Sequence, residues 1–183
     1  MSSSTRYDAV AMTLHWVMAA LILGLLAMGL TMTGLKPGSS LQFQLYQGHK
    51  SVGITVLALT LLRLGWRLTH RPPSLPETMP GWEKRLAHAG HAALYTLMLA
   101  MPLLGWAVVS TSSFNIPTVL YGVIPFPHLP LPHDLNAAAK LLHRTGAWIM
   151  IATVFGHGAA ALRHHYLLGD AVLTRMLPRF GRK

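Results

Sequence analysis

Four long apolar runs, at residues 12–33, 49–68, 88–110 and 137–162, alternate with shorter polar or proline-bearing stretches. Each run is about 20 to 26 residues long, the length an α-helix needs to cross a hydrocarbon layer about 30 Å thick. The pattern predicts an all-α integral membrane four-helix bundle, with one domain over residues 1–183 and no internal repeat. The first run is a poor cleavable leader: it exceeds the usual core, contains His15 and Trp16, and lacks an A-x-A site. The first connection, 34–48, holds the breakers Lys36-Pro37-Gly38. The second, 69–87, opens with Arg71-Pro72-Pro73, and its Trp82, Lys84 and Arg85 read as an interfacial anchor. The third, 111–136, is the longest. Alternating prolines over the uncharged stretch 124–132 exclude a helix and predict an extended chain across the mouth of the bundle; a merely exposed apolar loop is the alternative. After the last run, Leu173, Met176 and Leu177 share a face that Arg175 avoids, which predicts a short C-terminal amphipathic helix ended by Pro178.

Composition agrees with a membrane protein. Hydrophobic residues make up 52% of the chain and charged ones 11%, against about 25% charged in soluble domains. The net charge of +10 would suggest nucleic acid in a soluble protein, but here its distribution reports topology. Eleven of the fifteen basic residues (Arg6, Arg63, Arg67, Arg71, Lys84, Arg85, Arg163, Arg175, Arg179, Arg182 and Lys183) flank one side of the spans. Only Lys36, Lys50, Lys140 and Arg144 belong to the other. Positive-inside bias then predicts a multi-pass protein of the bacterial inner membrane with both termini and the middle loop cytoplasmic, and no nucleic-acid partner. The chain has no cysteine, which excludes disulfides, cysteine-ligated iron–sulfur clusters and covalent c-type haem. Any haem must be held by histidine.

Eleven histidines are present, and depth separates them. His70, His128 and His133 fall in loops and read as solvent-facing. Ionisable residues inside spans are costly, so those are read as functional. His143 and His157 are fourteen residues apart in the last run. That spacing leaves about 40° of angular offset and a rise of about 21 Å, so both imidazoles leave one helix face at different depths. His49 matches His143 in depth and His15 matches His157. Two bis-histidine sites for two stacked b haems follow, suited to electron transfer rather than oxygen binding.

His88 and His91 compete with His15 for His157. Their other readings are a hydrogen bond to a propionate, a helix cap, or proton exchange with a quinone. His164 and His165, about two turns beyond His157, invite the same proton role. Gly48, Gly53, Gly146, Gly156 and Gly158 lie near the paired histidines, where small residues admit a flat macrocycle or serve plain helix packing. Arg144 is a candidate partner for a haem propionate. Lys50 is another, or it snorkels to the headgroups. Zinc sites usually include carboxylates or thiolates, and no acid of this chain lies in a span, which argues against a metal transporter. G-x-S-x-G, P-loop and H-E-x-x-H motifs are absent.

Taken in order, Leu14-His15-Trp16, Gly48-His49-Lys50-Ser51-Val52-Gly53, Ala87-His88-Ala89-Gly90-His91 with Leu94-Tyr95, Met101-Pro102-Leu103-Leu104-Gly105-Trp106, Leu142-His143-Arg144, and Gly156-His157 through Met176-Leu177-Pro178 resemble the bacterial cytochrome b561 family. The resemblance covers nearly the whole chain. It implies a four-helix bundle with two b haems ligated from the first, second and fourth helices, which carries over to His15, His49, His143 and His157. It also implies electron exchange with ubiquinone. One branch of the family oxidises superoxide and passes the electron to ubiquinone, and relatives serve as haem subunits of hydrogenases and formate dehydrogenases. The expectation is a transmembrane dihaem oxidoreductase between a periplasmic donor, superoxide being one candidate, and the ubiquinone pool. A haem-bearing membrane anchor and electron relay for a separate dehydrogenase or periplasmic redox partner is the alternative. A bundle whose histidines relay protons without haem is a third reading.

Overall fold

The computed structural model describes residues 6–178; Arg179, Arg182 and Lys183, used above for topology, lie outside the described residues. Four helices carry the fold: α1 (Ala9–Gly34), α2 (Ser40–Thr69), α3 (Gly81–Ser110) and α4 (Asn136–Tyr166). Each is long and apolar enough to cross a membrane. Asp8 caps α1, its carboxylate accepting from the Ala11 N–H at 2.8 Å. Ser39 caps α2 directly after Pro37 and Gly38, whose φ is +77°.

Both α2 and α3 begin earlier than their apolar runs. Their first turns are mixed in polarity, with Gln42, Gln44 and Gln47 in one and Glu83, Lys84 and Arg85 in the other. A hydropathy pattern ends where lipid would end, whereas the helix runs on into the interface until a cap stops it. The first two connections therefore shrink to 35–39 and 70–80. His49 lies well inside α2 rather than opening it, and Arg63 and Arg67 sit on its last turns rather than in a loop.

The third connection folds more than expected. Strands β1 (Thr118–Leu120) and β2 (Ile124–Phe126) pair antiparallel, Val119 opposite Pro125. Tyr121 (φ 52°) and Gly122 (φ 74°) make the reversal, and the Val123 N–H donates to the Leu120 carbonyl at 3.0 Å. Two successive positive φ values are what a primed hairpin turn requires. The hairpin is fastened to α2 by the Tyr121 N–H on Ser51 Oγ (3.0 Å) and by the Tyr121 and Thr55 hydroxyls at 2.6 Å. The chain after it runs extended over the bundle, as its prolines predicted, held by Trp106 Nε1 on the Pro127 carbonyl at 2.8 Å. Here this is called the hairpin end.

At the opposite, terminal end, the first and last described segments of the chain meet. Trp16 Nε1 donates to the Met176 carbonyl (2.8 Å), the Tyr7 N–H to Arg175 (3.3 Å), and Arg6 to the Leu177 carbonyl. The expected amphipathic helix over Leu173, Met176 and Leu177 is instead a set of turns over 172–176. Its few residues cannot offset helix nucleation, and its carbonyls are taken by α1 and the N-terminal segment. Between the two ends lies a core layer with buried residues from every helix: Met18 and Ile22 from α1, Val56 from α2, Met98 from α3 and Met150 from α4.

Candidate functional site

One stripe of α4 organises the interior. His143, Met150 and His157 follow at seven-residue steps, and a straight helix drifts only about 20° per such step. Among the described residues, α4 packs its backbone closely against α3 but stands off from α1 and α2. Into that space project the histidines. His49 and His143 have ring centroids 6.2 Å apart, and His15 and His157 also 6.2 Å apart. These are the pairs that depth selected. The layer holding Met150, 5% exposed, separates the two levels.

The hairpin-end pair is shaped by glycine. A Cβ on Gly105 of α3 would stand 3.2 Å from His143 Cε1, and one on Gly29 of α1 would stand 3.5 Å from His49 Cε1. Neither glycine was singled out for this role from the sequence. Of those that were, Gly146 makes a close approach, to Met101 Sδ, and Gly48 meets Met28 Sδ at 3.7 Å. Gly53, Gly156 and Gly158 face open space. The Nδ1 atoms of His49 and His143 are buried, with the Leu25 and Met101 backbone carbonyls beside the respective rings. Lys50 turns away from this pair and donates to the Pro117 carbonyl at 3.2 Å, which ties α2 to the hairpin; Arg144 is exposed.

The terminal-end pair is crowded by further polar groups. His91 lies closer to His157 than His15 does, at 5.4 Å between centroids, so the rivalry seen in the sequence is a real juxtaposition. His88 is exposed on α3. Arg63 reaches in from α2, with Nη2 3.3 Å from His15 Nδ1 and Nε donating to the Tyr95 hydroxyl at 3.2 Å. Arg67 stands over the Tyr95 ring at 5.7 Å. An arginine at mid-bilayer costs about 2.5–3.5 kcal/mol on insertion scales, and the inward direction of Arg63 gives up the route to water. Sequence reasoning counted both arginines only as topology markers.

His164, a candidate quinone or proton residue, is 7% exposed and held in an ionic cluster. Its Nδ1 is 2.5 Å from Asp170 Oδ2 and its Nε2 3.6 Å from Glu83 Oε2, while Arg163 pairs with Glu83 Oε1 at 3.0 Å. Partial burial pushes the Asp170 carboxyl up, but the Val172 N–H and His164 outweigh it and hold the group below its ordinary value. His70 and His133 are exposed, as expected of loop residues, though each also makes a contact, whereas His128 is half-buried rather than solvent-facing. His133 Nδ1–H donates to the Thr111 carbonyl at 2.9 Å, and His70 stacks on Trp66 at 3.8 Å.

Two imidazoles facing each other across a metal, each bonded at about 2 Å, have centroids roughly 6 Å apart. Both pairs meet that spacing. A backbone carbonyl beside each hairpin-end ring suits an imidazole that donates its Nδ1–H and ligates through Nε2, and the glycines leave room for ring planes beside them. The residues present therefore fit a bis-histidine haem.

Comparison with known proteins identifies the family. The family described as prokaryotic cytochrome b561 matches residues 6–179. Cytochrome b561 homolog 2 of Escherichia coli K12 is 32% identical over 94% of this chain and 91% of its own length. Cytochrome b561 homolog 1 of the same strain is 31% identical over 95% and 98%. A Yersinia pestis protein named "Probable superoxide oxidase CybB" is 30% identical over 95% and 97%. The chain thus belongs to the prokaryotic cytochrome b561 family of multi-pass membrane electron carriers, whose cofactor is haem b.

Proposed function

We propose that this chain holds two b haems, one between His49 and His143 and one between His15 and His157, and carries electrons across the bacterial inner membrane with ubiquinone as one redox partner. The observation that carries this reading is the repetition of one ring spacing, 6.2 Å, at two levels of the same α4 stripe. When bound, a bis-histidine b haem accepts and gives one electron at a time and leaves no axial position open to oxygen.

The chain's own residues divide the work. His143 and His157 on α4 set the two levels, and the layer around Met150 keeps water from running between them. The termini and the loop 70–80 gather at one end with the larger share of basic residues, which supports a cytoplasmic terminal end and a periplasmic hairpin end. Lys50, Lys140 and Arg144 supply positive charge at the hairpin end, where exposed Arg144 stands as the candidate partner for a propionate. That charge would draw a small anionic donor. Superoxide is the donor suggested by the Yersinia pestis relative's name. Oxidation of two superoxide ions to dioxygen releases two electrons, which with two protons reduce one quinone to quinol. Exposed His88, with His91 and His164 deeper on the same side, is the group we place on the proton route.

The test is a reduced-minus-oxidised spectrum with haem quantification, followed by stopped-flow mixing of oxidised protein with superoxide. Two haems per chain are expected, and their reduction within the mixing experiment. One haem breaks the two-site scheme; no reduction by superoxide removes that donor. A second reading, a relay for another redox protein, draws on the exposed apolar tip of the hairpin end, where Phe114 is 80% and Val123 78% exposed. A stoichiometric partner retained in mild detergent would favour it.

A further inference from the structure

We infer that Arg63, with Arg67 behind it, anchors the carboxylates of the haem held at the terminal end. The inference rests on the two-haem reading above and adds residues that neither motif nor spacing had assigned.

Three observations carry it. First, Arg63 lies six residues before the end of α2, near enough to the interface for its side chain to reach water. It points inward instead, to His15 and Tyr95. Second, no carboxylate meets it. The ion pairs among the described residues join Glu83 to Arg163 and His164, and His164 to Asp170; neither Arg63 nor Arg67 takes part. Two guanidinium groups thus stand against the Tyr95 phenol, Arg63 partly buried and Arg67 exposed, and neither has a carboxylate partner among the described residues. Third, the contact between Arg63 and His15 cannot survive ligation through Nε2. A neutral imidazole bound that way carries its proton on Nδ1, so two donors would face each other at 3.3 Å. The guanidinium must then turn to an acceptor, and a carboxylate both accepts two of its N–H groups and neutralises it. A b haem brings two carboxylates into the bundle. The hairpin end shows the contrast, because Lys50 is committed to the Pro117 carbonyl and Arg144 is exposed.

The experiment is a potentiometric titration of the full chain in detergent, resolved haem by haem, for wild type, Arg63→Gln and Arg63→Lys. His143→Ala identifies which spectral component belongs to the terminal end. Loss of a cation beside that haem disfavours its reduced form, so Arg63→Gln should lower its midpoint potential and its retention while the hairpin-end haem is unchanged. Arg63→Lys should restore both in part. The infrared difference bands of the propionates should shift in Arg63→Gln at the terminal-end potential only. If Arg63→Gln sheds that haem entirely, the Arg63→Lys infrared bands decide: a shift supports the anchor and wild-type bands overturn it. Two haems with wild-type potentials, retention and infrared bands in Arg63→Gln overturn the inference alone. A wild-type chain with haem at the hairpin end only overturns the two-haem reading and the inference together.

Discussion

The two histidine levels share a ring spacing and almost nothing else. At the hairpin end the pair is fixed by shape. Gly29 and Gly105 lie against the rings, backbone carbonyls of Leu25 and Met101 stand beside them, and nearby Lys50 is occupied by the hairpin. At the terminal end the pair is set in charge and polarity: a third histidine, an inward arginine, a tyrosine, and one heptad further the cluster of Glu83, His164, Arg163 and Asp170. A site fixed by shape tolerates little change in volume. A site fixed by charge tolerates volume but responds to the loss of a single cation. On the two-haem proposal, the same bundle would hold one cofactor chemistry twice and tune the copies independently.

The sharpest way to break this comparison is to remove ligands. His143→Ala and His49→Ala should each lose the hairpin-end haem completely, and His157→Ala the terminal-end haem, as read by haem quantification and difference spectra. His15→Ala should match His157→Ala. If His91→Ala does so instead, the third histidine is the ligand and His15 the bystander. Next in size is Met150→Ala, which opens a cavity in the separating layer. It should cost about 2–5 kcal/mol of stability, lowering the thermal midpoint with both spectral components disturbed together, whereas Met150→Leu should cost less than about 1.5 kcal/mol.

A smaller, one-sided effect is expected from Gly105→Ala. Its new methyl stands 3.2 Å from His143 Cε1, and overpacking of this kind costs about 1–3 kcal/mol. The hairpin-end spectrum should change and the other stay. Gly146→Ala should do less, because it meets the thioether of Met101, which can swing aside. The smallest effect is Asp170→Asn. The Asp170 carboxyl is held below its ordinary value of 3.8, so its contribution is complete above that pH and is lost as the pH falls through the lower folded value. The difference in thermal midpoint between wild type and Asp170→Asn should therefore narrow below about pH 4. A gap that persists there would assign Asp170 a role other than its charge.

The sequence was most legible where one periodicity acts alone. Hydropathy over about 20 residues marked four spans, and the fourteen-residue step on α4 placed two imidazoles on one face at two depths. Direction from the basic residues then gave each its partner. What escaped were features set by two segments at once. Gly29 and Gly105 look like any small residue in a span until the facing histidine ring is placed. Arg63 fits the basic flank of a loop by sequence, and only the inward turn of its side chain separates it from its neighbours. The hairpin over 118–126 hides inside a proline-rich stretch, because its turn depends on a positive φ at Tyr121, an uncommon state for a tyrosine. The tail over 172–176 has a helical pattern yet spends carbonyls on Trp16 Nε1 and the Tyr7 N–H.

The stand-off of α4 from α1 and α2 has a consequence for assembly. Each proposed haem takes one ligand from α4 and the other from α1 or α2, and α4 leaves the ribosome after those two helices. A nascent chain with three spans inserted holds only half of each ligand pair. Capture of either haem must then wait for α4, which packs along α3. Biogenesis of this protein would thus have no stable half-loaded stage before α4 is in place.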